Sequence, residues 1–271
     1  MLPERDFTTI SPTAKSLLIM KSQTTIPFAN AAAELMFGAP GVATALAEMN
    51  RVPSAELRRM HFENRYRSID TLLAEAGDGM AGVLELAGGL SFRGLELARQ
   101  GRFYVDTDLP ELAALKADLI ARLHPEPLTG TLRVQALNAL DAEAFREAVA
   151  LIPPGPIAIV NEGLLIYLDD AEKRRLAGNV HDALTARGGI WITADIYVPT
   201  PPDQRLLTDD RTREFLDRHH VEDNKFASWD AAEQFFTGCG FTVLRKLTPS
   251  PDPRHVRESW VLGTCWQRAS T

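Results

Sequence analysis

The residues of this 271-residue chain best suited to chemistry stand at the ends of apolar runs. Glu85 lies just before Ala87, Gly88 and Gly89 in Val83-Leu-Glu-Leu-Ala-Gly-Gly-Leu-Ser-Phe-Arg-Gly94. Asp106 and Asp108 close Phe103-Tyr-Val-Asp-Thr-Asp-Leu-Pro110, and Asn138 follows the run 132–137. Glu162 and Tyr167 sit in Val160-Asn-Glu-Gly-Leu-Leu-Ile-Tyr-Leu168. An apolar run ending in small residues, then a helix, then a second run ending in an acid suits a nucleotide-like ligand. Small residues let the backbone approach it, a helix N-terminus offers N–H groups, and a carboxylate at the next tip grips two ribose hydroxyls.

Each residue then has an expected task. Gly89 permits the close backbone approach, although the loop is not a strict G-x-G-x-x-G. Glu85 is placed either to meet an amino group of the ligand or to orient the loop. Asp108, beside Leu109 and Pro110 at the turn, is expected to take the ribose, with Asp106 a solvated neighbour. The Asn138 amide is placed either to hydrogen-bond adenine or to act as a cap or turn residue. Glu162 follows a buried run directly and needs a polar partner, because an unpaired buried carboxylate is costly. With Tyr167 it would line the meeting place of cofactor and substrate.

The elements that must position these residues alternate. Strands are expected at 83–87, 103–106, 132–137, 156–161 and 189–194, with helices at 92–100, 110–123, 141–151 and 169–186. Such alternation implies an α/β fold with a parallel sheet covered on both faces, and its ligand belongs beyond the carboxyl ends of the strands. Ahead of it, residues 1–80 read as a helical cap, with helices at 29–37, 41–49 and 55–76 and Ser11 or Ser54 as capping residues. Residues 81–271 read as the core, with a polar helical excursion at about 197–227. A helix at 229–239 and strands at 241–247 and 259–265 end the chain as an antiparallel pair. The loop spacing fits S-adenosylmethionine at least as well as a dinucleotide, and that ending favours a Rossmann-like class I methyltransferase sheet, mostly parallel with an antiparallel last strand.

Composition narrows the partners. The net charge of −7 offers no basic stripe for nucleic acid or an anionic membrane, and Lys173-Arg174-Arg175 reads as a solvated helix face. The two cysteines, Cys239 and Cys265, are far apart in apolar surroundings, and no cluster suggests a metal. Without a signal-peptide layout or a run of transmembrane length, a cytoplasmic location is expected.

Together these segments resemble the leucine carboxyl methyltransferase-like family, which includes protein phosphatase methyltransferases and bacterial polyketide O-methyltransferases. The resemblance runs from about Ile10 to Leu247. It rests on Pro12-Thr-Ala14, Arg65-Tyr-Arg-Ser-Ile-Asp70, Glu85-Leu-Ala-Gly-Gly-Leu-Ser-Phe-Arg93, Asp108-Leu-Pro110 with the following Lys116, and Glu162-Gly-Leu-Leu-Ile-Tyr-Leu168. It implies a helical cap over a core that binds S-adenosylmethionine and releases S-adenosylhomocysteine. By position, Arg65 would pair with the methionine carboxylate, with Lys15 as a second cation. Asp108 would take the ribose, Asn138 the adenine edge, and Tyr167 would border the methyl-transfer site. Two departures stand out: Ala87 replaces the first glycine of the family loop, and Asn138 stands where many members carry aspartate.

The implied activity is O-methyl transfer to a carboxylate or hydroxyl of a small or carrier-delivered, natural-product-like acceptor. A carboxylate is already ionised at neutral pH and needs no base, whereas a phenol or alcohol, with a pKa of about 10 or higher, benefits from one. The base candidates are His61, His219 and His220, none at a strand tip. The sequence therefore leans mildly to a carboxylate. The alternatives are methylation of a protein C-terminus, discriminated by the segment 199–226, and a non-catalytic S-adenosylmethionine-binding regulatory protein.

Overall fold

The computed structural model describes residues 11–52, 54–199, 214, 216–248 and 257–264. Its strands are β1 (Gly82–Leu86), β2 (Phe103–Asp108), β3 (Thr131–Ala136), β4 (Ile157–Asn161), β5 (Gly189–Tyr197), β6 (Phe241–Leu247) and β7 (Arg257–Thr264). They form one seven-stranded sheet in the order β3-β2-β1-β4-β5-β7-β6. β1 to β5 pair in parallel, and β7 runs antiparallel to both β5 and β6, so it alone is reversed. β1, β4 and β5 are buried along their whole length, as near-continuous apolar runs are in a parallel sheet covered on both faces. The strand order reverses between β1 and β4, the crevice where open α/β sheets take ligands.

The described helices are α1 (Ser11–Lys21), α2 (Ala29–Met49), α3 (Ala55–Ala76), α4 (Arg93–Arg99), α5 (Pro110–Leu123), α6 (Ala142–Ala150), α7 (Asp170–Arg187) and α8 (Trp229–Gly238). Their starts are written locally. Pro110 opens α5 at a position whose N–H would be unpaired anyway. The Asp141 side chain caps α6, and Asp169 with Glu172 forms a reciprocal capping box on α7. Ile69, Leu72 and Leu73 of α3 pack on one sheet face against Val83, Ala158 and Ile192. Phe145, Leu176 and Phe236 of α6, α7 and α8 pack on the other against Leu84, Ile159 and Trp191. α1 and α2 lie on α4 and α5 through Leu18, Ala32, Leu95 and Leu119.

The two helices read at 29–37 and 41–49 are found as the halves of α2, separated where Gly38 takes φ 69°, two residues before Pro40. Other expectations change. Ser54 precedes α3 but does not cap it, and its hydroxyl is buried without a hydrogen bond. Lys173 is no solvated residue: it is 5% exposed and bonds the Asn224 carbonyl, because its turn of α7 faces the core. β2 runs on to Asp108, further than the expected strand. No helix among the described residues is long and apolar enough to cross a membrane. Cys265, residues 200–213 and 215 of the expected excursion, and the side chains of Ser11 and Pro12 lie outside the described residues.

Candidate functional site

The carboxyl ends of β1, β2, β4 and β5 converge on one region. Asp108 ends β2, and both its oxygens accept backbone N–H groups, Oδ2 from Gly89 and Oδ1 from Leu109, each at 2.7 Å. Burial pushes its carboxyl pKa up, and the two N–H donors pull the other way. The turn below is tight. Ala87 and Gly89 have φ of 50° and 54°, a region that costs an L residue about 1–2 kcal/mol. A Cβ on Gly88 would come within 2.5 Å of Asp106 Oδ1 and 2.9 Å of Lys116 Nζ, so a side chain there would have to displace this buried pair.

Asp106 is not a solvated neighbour but 1% exposed and paired with Lys116 of α5. Strand geometry explains this: residues two apart share a face, so Asp106 points with Asp108 toward the helices rather than to solvent. Glu85 is fully buried, accepting from Arg93 Nη1 at 2.5 Å and the Tyr104 hydroxyl at 3.0 Å. Both its carboxylate oxygens thus accept from protein side chains.

Glu162, just past β4, is the centre of a buried charge cluster. It accepts from Lys21 Nζ at 2.9 Å, Arg65 Nε at 3.2 Å and Arg93 Nη2 at 3.0 Å. These cations come from α1, α3 and the start of α4. Burial opposes the Glu162 charge, yet the three cations outweigh it and hold the carboxyl far below its ordinary range. Burial likewise opposes the charges on Arg65 and Arg93, and their anionic neighbours outweigh it, raising both. Arg93 also donates from Nε to Asp70 at 2.9 Å. Three cations (Lys21, Arg65, Arg93) thus face three carboxylates (Glu162, Glu85, Asp70). Lys15 is exposed, so Lys21 at the end of α1 is the lysine that reaches this cluster.

Tyr167 lies in a single turn at Leu165–Tyr167. Asp195 of β5 holds that turn, accepting from Gly163 N at 2.6 Å, Leu164 N at 2.7 Å, Leu165 N at 3.2 Å and Asn161 Nδ2 at 2.6 Å. Gly163 has φ 80°, and a Cβ there would lie 3.1 Å from Arg65 Nη2. Burial pushes the Tyr167 phenol up to about 12, against the pull of Arg65 and a hydrogen bond with Thr13. Its ring meets His219 edge-on at 6.2 Å. His61 Nε2 lies 2.9 Å from the Tyr197 hydroxyl, which Arg65 Nη1 approaches at 3.4 Å. His220 is exposed beside Asp223. Asn138 is half-buried in a turn, with Oδ1 accepting Leu140 N at 3.0 Å and its amide N–H groups left to point elsewhere.

The structure therefore brings together Arg65, Glu85, Ala87, Gly89, Asp108, Glu162 and Tyr167, while Lys15 is exposed next to Ala14, which lies against the Gly89 turn. Sequence reasoning missed Lys21, Arg93, Asp195 and Tyr197. Asp195 and Tyr197 carried a usable signal, since they end an apolar run as Asp108 does. Among the described residues no cluster of His, Cys, Asp and Glu could hold a metal ion.

A Mycolicibacterium smegmatis protein is 31% identical over 192 residues, covering 69% of this chain and 60% of its own length. A Mycobacterium avium protein is 33% identical over 138 residues, covering 50% of this chain and 44% of its own length. Each is named, as an inferred assignment, an S-adenosyl-L-methionine-dependent methyltransferase. The chain thus spans less than two thirds of these relatives. No family model matches it. Among solved structures, the mitomycin 7-O-methyltransferase MmcR superposes with TM-score 0.51 at 13% identity, covering 94% of this chain and 67% of that one. Magnesium protoporphyrin IX methyltransferase ChlM from Synechocystis PCC 6803, solved with bound SAH, gives 0.51 at 11% identity, covering 76% of this chain and 84% of that one. The fold is a class I methyltransferase sheet.

Proposed function

We propose that the chain is an S-adenosylmethionine-dependent O-methyltransferase of the leucine carboxyl methyltransferase-like type, acting on a carboxylate or hydroxyl of a small, natural-product-like acceptor. The observation that carries this reading is the buried Asp108 carboxylate, tied to Gly89 N–H beside Gly88, where a side chain would press on a buried ion pair. That is a cradle for a ribose under a close backbone. The names of the curated relatives support the same cofactor and reaction.

The charge cluster fits the other end of the cofactor. Its cations and carboxylates are already paired with one another, and an amino-acid group is itself a zwitterion, so it enters without changing the net charge of the cluster. Arg65 and Lys21 would hold the ligand carboxylate, and Glu162 would face its ammonium. Asp108 would accept the two ribose hydroxyls on its remaining lone pairs, and the Asn138 amide would reach the adenine edge. Gly89 and Ala87 would let the backbone come close.

The cofactor supplies a methyl group on a cationic sulfur. The protein's share is to hold the acceptor oxygen in line with that carbon and to exclude water. Tyr167 and Tyr197 would border the acceptor, positioning an oxygen without overbinding it. His61 at Tyr197 and His219 at Tyr167 supply nearby bases, so a hydroxyl acceptor is served as well as a carboxylate.

Calorimetric titration with S-adenosylmethionine and, separately, S-adenosylhomocysteine tests the reading. Micromolar binding of both is expected. Absence of binding by either refutes it.

A further inference from the structure

Beneath the Gly88–Gly89 turn lies an ionic floor that the proposed reaction leaves unused. Glu85 of β1 and Asp106 of β2 are register partners on adjacent strands, about 4.8 Å apart in a sheet. They are 0% and 1% exposed. Two buried carboxylates this close repel, and each has its own cation. Arg93, with the Tyr104 hydroxyl, holds Glu85. Lys116 reaches from α5 to Asp106, with Nζ 2.6 Å from Oδ1 and 2.5 Å from Oδ2. Only the first contact has hydrogen-bond geometry, so Oδ2 is buried without a donor.

The backbone of Gly88 rests directly on these groups. The space its absent Cβ would fill is bounded by Asp106 Oδ1 at 2.5 Å, Lys116 Nζ at 2.9 Å and Glu85 Oε2 at 3.3 Å. From there the turn is tied along β2, Gly88 N–H to the Thr107 carbonyl at 2.9 Å and Gly89 N–H to Asp108 at 2.7 Å. Any shift of the floor is passed to the residue that would hold the ribose.

We propose that Asp106 and Lys116 are positioning residues, whose buried ion pair sets the Gly88–Gly89 turn and makes cofactor affinity follow the charge on Asp106. The inference rests on that turn being the cofactor site. Burial pushes the Asp106 carboxyl up to about 7, partly offset by Lys116 and reinforced by Glu85 and Asp108. The titratable groups that face it are Lys116 from α5, Glu85 from β1, and Asp108 and the Tyr104 phenol on its own strand. When Asp106 takes a proton the pair is lost, and Glu85 becomes the anion nearest Lys116. The cation then shifts under Gly88, and the turn with it.

The test follows S-adenosylhomocysteine affinity by calorimetry, and the amide resonances of Gly88 and Gly89 in the ligand-free protein, from mildly alkaline to mildly acidic pH. In the wild type, affinity should fall by about tenfold per pH unit below the Asp106 midpoint, the slope of one proton, and both amides should titrate with it. Asp106→Asn should flatten both profiles. Lys116→Met, which lacks the pair at every pH, should bind weakly throughout and lose the tenfold-per-unit fall of the wild type. If Lys116→Met does not fold, Asp106→Asn alone carries the test. A pH-independent wild-type affinity with unmoved glycine amides overturns the proposal. Titrating amides in a protein that binds no S-adenosylhomocysteine would leave the floor standing and remove the cofactor reading instead.

Discussion

Replacing Glu162 with glutamine removes one negative charge from the centre of Lys21, Arg65 and Arg93 and changes almost no volume. Three contacts at 2.9, 3.2 and 3.0 Å are affected. Each charge-assisted hydrogen bond is worth about 1.5–3 kcal/mol, though the three share one carboxylate and do not add. Removing one partner of a buried pair costs about 3–5 kcal/mol. The glutamine carbonyl still accepts one donor, so the expected loss is about 3 kcal/mol, or roughly 6–10 °C in Tm for a chain near this size. Thermal melts at neutral pH read it directly.

The pH dependence has a definite sign. The folded-state pKa of Glu162 is depressed by its cations, so its stabilisation is complete above the unfolded value of about 4.3 and drains away as pH falls below it. The gap between wild type and Glu162→Gln should be constant around neutrality and close in acid. Ligands sharpen the test. Glu162→Gln also removes the carboxylate that would face the ligand's ammonium, a group S-adenosylhomocysteine carries and adenosine does not. Saturating S-adenosylhomocysteine should therefore raise the Tm of the variant less than that of the wild type, while adenosine raises both alike. A variant melting within about 2 °C of wild type, under 1 kcal/mol, would refute the idea that Glu162 compensates this cluster.

Asp108→Ala should lose about 1.5–3 kcal/mol of S-adenosylmethionine affinity by calorimetry; near-unchanged binding would put the ribose contact elsewhere. Arg65→Ala should weaken S-adenosylmethionine more than adenosine, and equal losses would mark Arg65 as scaffold. Ala87→Gly should stabilise the protein by about 0.5–1 kcal/mol in a denaturant titration, since release from φ 50° outweighs the extra chain entropy of glycine. A clear loss of stability would mean that the alanine methyl packs more than its backbone strains.

The sheet was legible because its strands are either apolar runs or end in turn chemistry, and Asp108, Glu85 and Glu162 were legible because each follows such a run. Asp106 was misread as solvated, since a charged residue inside a strand reveals its face only when its partner is known. That partner, Lys116, lies on the following helix and is marked by nothing in the strand itself. Lys15 and Lys21 share one helix, and which of them turns inward depends on how α1 lies on α4 and α5, a tertiary matter. Arg93 looked like part of a loop motif, yet it binds Glu85, Asp70 and Glu162 at once. Long-range pairs of this kind leave no periodic trace.

The position of Glu162 links assembly to function. It sits past β4, while its cations arrive from α1, α3 and the start of α4. Docking the N-terminal helices on the sheet and completing the charge cluster are therefore one event. A buried ion cluster gives little net stability over apolar side chains of similar volume, and an apolar seam would close the same interface. What the ions add is a set of oriented charges fixed before any ligand arrives, with Asp195 and Gly163 holding the backbone close to Arg65. A zwitterion meeting charges already in place loses little to their reorganisation. On this view α1 and α3 belong to the binding site as much as β1 and β2 do, and loosening α1 should weaken cofactor binding before it unfolds the sheet.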